Sequence, residues 1–218
     1  MGAIGRVLTV GEASYVVERT AAAINRAVDR GLIEAAREPR DAGGEGGTVL
    51  RKLGPAELRY LLVEGDLEGD LTPSGRRRAY DAIRALPDGE HRVQVGPGLA
   101  LELADVDERI AARLARLDAA KAHMEEGGAE PVLRGTDGVP VYLVAALAAG
   151  QGVDATLEDH PGLTRAQVEA AAEYARAYPK SGRPYPARSF TRMLGELADL
   201  GAFDPAEAED GEDARPAP

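Results

Sequence analysis

The 218-residue chain contains no cysteine. That excludes disulfides, cysteine nucleophiles and thiolate metal sites together. Tryptophan is also absent and there are only two phenylalanines. The core must therefore come from Leu, Val, Ile and Ala at helical spacing, which favours a mainly α protein. No stretch approaches the ~20 apolar residues of a membrane span, and the segment from Met1 to Arg6 lacks the apolar core of a signal peptide. The expectation is a cytoplasmic protein with no membrane contact. Positive charge is short as well: 26 Lys and Arg stand against 37 Asp and Glu, for a net charge of −11. A surplus of that sign weakens non-specific binding to nucleic acid. The deficit is uneven, however. Residues 1–40 carry six basic and five acidic groups, whereas residues 204–218 carry one and six. The N-terminal segment is the only net-positive one, so a local DNA contact survives the overall charge.

Catalytic patterns are equally scarce. His91, His123 and His160 fall in different predicted elements, and none has a partner at metal-ligand spacing. Gly43 to Gly47 is followed by no Lys-Ser/Thr pair and is not a phosphate loop. Carboxylates are plentiful but not clustered on apolar faces. The expectation is a protein with no catalytic residue, no metal and no cofactor.

What is present is a succession of helix signals. Thr9-Val10-Gly11-Glu12 is a capping box and starts a helix to about Val17, with Ala13, Val16 and Val17 inward. Glu18-Arg19 turns the chain, and Thr20 caps a second helix with Ile24, Ala27 and Val28 on one face. Two short helices about a tight turn predict a helix-turn-helix. After Gly31, segments 32–37 and 48–52 read as two strands around the glycine-rich stretch Glu38 to Gly47, a hairpin that would form a wing. Pro55 opens a further helix through Leu58, Leu61 and Leu62, and Glu64 to Asp70 reads as a linker. These elements make a head at 1–65.

The segment 71–126 should hold a helix from Thr72-Pro73 to about Leu86, a hairpin of 91–95 with 99–103, and a long helix from about Val106 to Met124. That helix carries Ile110, Leu114, Leu117 and Ala120 or Lys121 in heptad-like phase, to connect the halves or zip dimer partners together. At 127–178, Pro140 opens a helix ending at Gly150; a short one covers Asp154 to Asp159; the capping box Thr164 to Gln167 begins a third with Val168, Ala171, Ala172 and Ala175. This again predicts a three-helix helix-turn-helix domain. Residues 179–203 combine an extended basic arm, broken by Pro179, Pro184 and Pro186, with a helix carrying Phe190, Met193, Leu194, Leu197 and Leu200 on one side. The acidic stretch 204–218 has the composition of a disordered tail.

Pro131-Val132-Leu133-Arg134-Gly135-Thr136 and Val139-Pro140-Val141 resemble the P-V-I-R-G-T-R-I-P-V opening of the family known as domain of unknown function 433. Leu147 to Gly150, Asp159-His160-Pro161, Leu163 to Val168 and Tyr174-Ala175 follow in the family's order. Pro131, Arg134, Gly135, Thr136 and Pro140 are the motif residues. The sequence departs from the pattern at Asp137-Gly138, which stands where the family has an arginine; no role of that arginine transfers. Such domains are common in VapB-like antitoxins, and the resemblance implies pairing with a PIN-like ribonuclease toxin. Residues 8–63 look like the winged helix-turn-helix of excisionase and MerR-type proteins, on Thr9 to Ala13 and Gly31-Leu32-Ile33.

Candidate binding residues follow. On the second helix, Asn25, Arg26 and Arg30 point away from the predicted core, beside Arg19 and Thr20 of the turn. Arginine takes guanine edges or phosphate and asparagine takes adenine; the alternative is an ordinary solvated face. Arg37, Arg40, Arg51 and Lys52 on the wing would reach phosphate; the equal alternative is scattered surface charge, because Glu38 and Glu45 dilute them. Arg76-Arg77-Arg78 is the densest basic cluster, either touching DNA or offsetting the acidic linker. The helix from Thr164 offers Arg165, Glu169, Glu173 and Arg176, a mixture better suited to dimerisation or toxin contact than to phosphate. Arg183, Tyr185, Arg188, Phe190, Arg192, Met193, Leu194 and Leu197 form the candidate toxin-binding segment, with the alternative that this helix packs back on its own protein. The resulting expectation is a homodimeric antitoxin that represses its own operator DNA and silences a toxin; the alternative is a stand-alone helix-turn-helix regulator.

Overall fold

A computed structural model describes residues 5–39, 49–67, 69–87 and 89–200 of the chain. The tip of the first hairpin, including Arg40, lies outside the described residues.

The chain opens with a two-residue strand β1 (Leu8–Thr9) that leads into helix α1 (Val10–Val17). The capping box forms: the Glu12 amide donates to Thr9 Oγ1 at 3.3 Å, and the Thr9 amide donates to the Glu12 carboxylate at 2.9 Å. Glu18 ends α1 in the left-handed region, at φ 53°. Thr20 then caps α2 (Ala21–Asp29), accepting from the Ala23 amide at 3.1 Å. Strands β2 (Ala36–Pro39) and β3 (Val49–Leu53) pair antiparallel, and β1 joins the other edge of β3 with Leu8 opposite Leu53. The strand expected from Leu32 begins only at Ala36. Leu32 instead bonds back to the Ala27 carbonyl, and Ile33 drops into the core at 1% exposure.

Helix α3 (Pro55–Asp66) takes Glu64 to Asp66, expected in a linker, as its last turn. Thr72 caps α4 (Pro73–Arg84), accepting from Gly75. Strands β4 (Arg92–Gly96) and β5 (Leu99–Glu102) form the second hairpin, and α5 (Ala104–Ala122) follows. A small pair, β6 (Met124–Glu125) with β7 (Val132–Leu133), opens the last unit, followed by α6 (Val141–Gln151), α7 (Val153–Asp159), α8 (Arg165–Ala177) and α9 (Phe190–Asp199). The protein is mainly helical with small sheets, as its composition implies.

Two hydrophobic cores organise these elements. The first runs from Leu8 to Leu117 and includes Ala177; the second runs from Ala120 to Ala171. The sequence reading separated 1–65 from 71–126, but both segments contribute to the first core. Tyr60 of α3 and Tyr80 of α4 meet edge-on with ring centroids 5.2 Å apart, the geometry favoured by opposed ring quadrupoles. On α5, Val106, Ile110, Leu114 and Leu117 belong to the first core and Ala120 to the second. Fully burying each such leucine or isoleucine contributes roughly 1.5–3 kcal/mol. The heptad-like stripe is thus consumed within the chain: α5 is a spine joining the two cores, and the alternative of a stripe zipping dimer partners together is corrected by this burial.

Candidate nucleic-acid and partner interfaces

The N-terminal candidates divide sharply once their partners are seen. Ile24 is fully buried, with Ala27 and Val28 packed against the same core, which leaves Arg26 and Arg30 exposed on the outer side of α2. Arg26, Arg30 and Arg37 form no side-chain hydrogen bond or ion pair among the described residues. Arg51 is committed to the chain itself: it donates to Asn25 Oδ1 at 3.0 Å and to Asp29 at 2.6 Å, pinning β3 to α2 and occupying the amide oxygen of Asn25. Lys52 pairs with Glu38, Arg19 pairs with Glu64, and the hydroxyl of Thr20 serves as a cap. Of the candidate DNA-binding residues, three guanidiniums stay open beside a braced scaffold. Arg77 stays exposed but is likewise engaged within the chain, donating to the Gly31 carbonyl at 3.1 Å and pairing with Asp81.

In the last unit the motif residues build a turn. Gly135 and Gly138 both adopt φ 73°, where a side chain is strained, and Thr136 closes the loop by donating to the Leu133 carbonyl and accepting from the Val139 amide. Gly138, part of the departure from the family pattern, therefore supplies one of the two left-handed positions. The Arg134 guanidinium donates to the Met124 carbonyl at 3.2 Å, and Pro140 stands at the N-cap of α6. Across a cleft of about 430 Å³ this loop faces Asp159 to Leu163. Thr164 and Gln167 complete their capping box, and Gln167 Nε2 donates to the Arg134 carbonyl at 3.0 Å, tying the turn to the start of α8.

Helix α8 is occupied by its own protein. Arg165 pairs with Asp154, Arg176 pairs with Glu173 at 2.7 Å, and Glu173 also accepts from the Tyr15 hydroxyl of α1 at 2.7 Å. Close to this contact, an added Cβ at Gly11 would stand 3.0 Å from the Ala177 carbonyl oxygen. Glu12 meets Lys121 at 2.9 Å and the Tyr178 hydroxyl. Burial alone would raise the Glu12 carboxyl, but hydrogen bonds from Tyr178, Thr9 and Lys121 hold it at about 2. Burial and the same contact push the Tyr178 phenol well above its ordinary value.

The arm between α8 and α9 is anchored. Lys180 lies 3.8 Å from Glu130, whose other oxygen accepts from the Tyr185 hydroxyl. The arm crosses α6 so closely that a Cβ on Gly150 would stand 1.9 Å from the Ala187 carbonyl oxygen. Beyond it, the Ser189 amide donates to Gln151 at 2.9 Å, the Ser189 hydroxyl to Asp159 at 2.6 Å and Arg192 Nε to Asp159 at 3.1 Å. The Ser189 bond foremost, with Gln151 and Arg192, lowers the Asp159 carboxyl. Arg188 is held by Glu196 at 2.6 Å. Arg188 and Arg192, candidates for toxin contact, thus already face carboxylates of their own chain, while Arg183 is exposed with no such pairing among the described residues.

Helix α9 contrasts with this anchoring: no residue on it is buried. Phe190 is 69% exposed, Leu197 44% and Leu200 80%, and Met193 and Leu194 are exposed too. Among the described residues nothing buries this face, contrary to the alternative that it packs back on the protein.

Sequence reasoning missed Asp107. It is 4% exposed, accepts from Arg59 at 2.7 and 2.8 Å, and lies 2.7 Å from His91 Nδ1. An acid in the first turn of a helix is common, since it suits the dipole, so no sequence signal marks its burial.

No helix among the described residues is long and apolar enough to cross a membrane. No curated protein and no solved structure matches the chain significantly. Residues 125–175 match the family model described as Protein of unknown function (DUF433), and so the unit formed by β6, β7 and α6 to α8 is a DUF433-family domain.

Proposed function

We propose that the chain is the antitoxin of a type II toxin–antitoxin pair, a binding protein without catalytic activity that acts in the cytoplasm. The observation that carries this reading is α9. A helix with Phe190, Met193, Leu194, Leu197 and Leu200 uncovered projects from an arm fastened to a DUF433-family domain. An amphipathic helix with no partner among the described residues has the form in which segments dock into a groove on another protein. The resemblance of this domain to those of VapB-like antitoxins supports a PIN-like ribonuclease toxin as the partner. Arg183 and Tyr185 would flank the docked helix, and the pairing of Arg188 and Arg192 within the chain assigns those two to fixing its direction.

In the same reading residues 8–63 act as a winged helix-turn-helix on operator DNA, with Arg26 and Arg30 on the recognition helix and Arg37 on the wing, as a homodimer on a two-fold site. The brace between Arg51 and Asn25 gives these two a positioning role. The DUF433-family domain, whose α8 is engaged with α1, serves assembly and toxin contact rather than base reading.

The test is co-expression with the neighbouring reading frame, with only this protein tagged. A stoichiometric complex that restores growth otherwise blocked by the neighbour supports the antitoxin reading. No partner, with specific binding to upstream DNA, leaves the stand-alone regulator. Arg26→Ala with Arg30→Ala should abolish operator binding and spare toxin binding; unchanged operator affinity would remove the assignment of the head.

A further inference from the structure

Behind the exposed side of α2 lies a groove of about 300 Å³, bounded by α2, α3 and the start of α4. Four guanidiniums line it, those of Arg19, Arg26, Arg30 and Arg76, against one carboxylate, that of Glu64. They come from distant parts of the sequence: Arg76 belongs to the helix after the head. We propose that this groove binds a phosphate group.

Glu64 explains why the arginines can be held so close together. Its side chain is 15% exposed, and its two oxygens are divided, one on Arg19 and the other on Arg76 at 3.2 Å. Arg76 Nε also donates to the Leu71 carbonyl at 3.3 Å, which fixes the plane of its guanidinium. Both acidic oxygens being taken, the carboxylate orients two donors and leaves three positive charges uncompensated.

Arg26 and Arg30 supply the rest. They stand four residues apart on α2, are exposed, and have no ion-pair partner among the described residues. Like charges at that spacing repel one another on the helix face, a repulsion that an anion between them reverses. Arg30 sits at the C-terminal end of α2, where the dipole favours a cation. Ala23 and Ala27 line the floor, and their methyl side chains keep the groove open. Its volume is roughly ten waters at about 30 Å³ each, ample for a phosphate group. Guanidinium forks match phosphate oxygens bidentately, and no free carboxylate lines the groove to accept a cation instead.

Two sources present this chemistry, the DNA backbone and a free phosphorylated small molecule. The first rests on the DNA-binding reading above; the second does not. The test uses the full chain, with Arg76→Gln and Arg26→Gln variants, and two probes: inorganic pyrophosphate followed by calorimetry, and a short duplex of unrelated sequence followed by anisotropy across a salt series. Each variant should weaken binding about tenfold, as expected for a lost charge-assisted contact. Weakening toward duplex, with the slope of log affinity against log salt falling by about one, assigns the backbone as source. Weakening toward pyrophosphate with no duplex binding assigns a free ligand as the source; the phosphate site then stands, and operator recognition is decided separately by the Arg26→Ala, Arg30→Ala test. Wild-type protein that binds neither probe, or both variants at wild-type affinity for both, overturns the proposal. Arg76→Gln also breaks the pair with Glu64, so if its thermal midpoint falls, Arg26→Gln alone decides.

Discussion

Replacing Asp107 with asparagine should be among the most damaging near-isosteric changes in the chain. The carboxylate is 4% exposed and the Arg59 side chain only 12%. Arg59 reaches it through two donors at 2.7 and 2.8 Å, and His91 through a third contact at 2.7 Å. Asparagine keeps the shape but has one acceptor oxygen, so one Arg59 donor would meet an amide NH₂ and a buried guanidinium would lose its counter-charge. Breaking a buried pair in this way costs about 3–5 kcal/mol, a large part of the roughly 5–15 kcal/mol that separates folded from unfolded domains. The consequence reaches function because this contact joins α3 to the spine α5. Urea unfolding followed by circular dichroism and tyrosine fluorescence measures it, with an expected fall in midpoint of more than about 1 M. The double variant Arg59→Met, Asp107→Leu removes both charges and should recover most of the loss, since buried pairs often exchange for apolar groups at little net cost. A loss under about 1 kcal/mol for Asp107→Asn, or a double variant no better than the single, would refute the reasoning.

Gly150→Ala sets two effects against each other. Helix propensity favours alanine by about 1 kcal/mol, but the added Cβ would stand 1.9 Å from the Ala187 carbonyl oxygen; we expect the arm to lift, read as faster proteolysis within residues 183–192 with α6 intact. Leu194→Glu with Leu197→Glu should abolish toxin capture while shifting stability by less than about 0.5 kcal/mol, because both side chains are exposed; loss of folding instead would mean that the face is covered within the chain. Glu12 is held at about 2 against an ordinary value of 4.5. A lowered carboxyl stabilises above the unfolded value and loses that contribution as pH falls from about 4.5 towards 2. Glu12→Gln should therefore flatten the acid unfolding curve across that window, and a curve identical to wild type would contradict the assignment. Thr164→Ala removes the cap of α8 and should cost about 1 kcal/mol by thermal unfolding.

The sequence by itself determined where the helices begin. Thr9, Thr20, Thr72, Thr164 and Ser189 each cap a helix. The motif around Arg134-Gly135-Thr136 was legible through its resemblance to the family, and the structure added that its glycines and threonine build one tight turn. Helix signals of this kind act within about four residues and survive any tertiary arrangement. What only the tertiary structure decided was which charges are spent. Arg51, Lys52 and Arg19 looked as open to DNA as Arg26 and Arg30, until Asp29, Glu38 and Glu64 arrived from other elements to pair with them. Folding also merged the head and the segment after it into one core, brought Arg76 beside Arg19 and buried Asp107. In each case the partner comes from a separate element of the chain, and an ion pair leaves no periodicity in the chain to announce it.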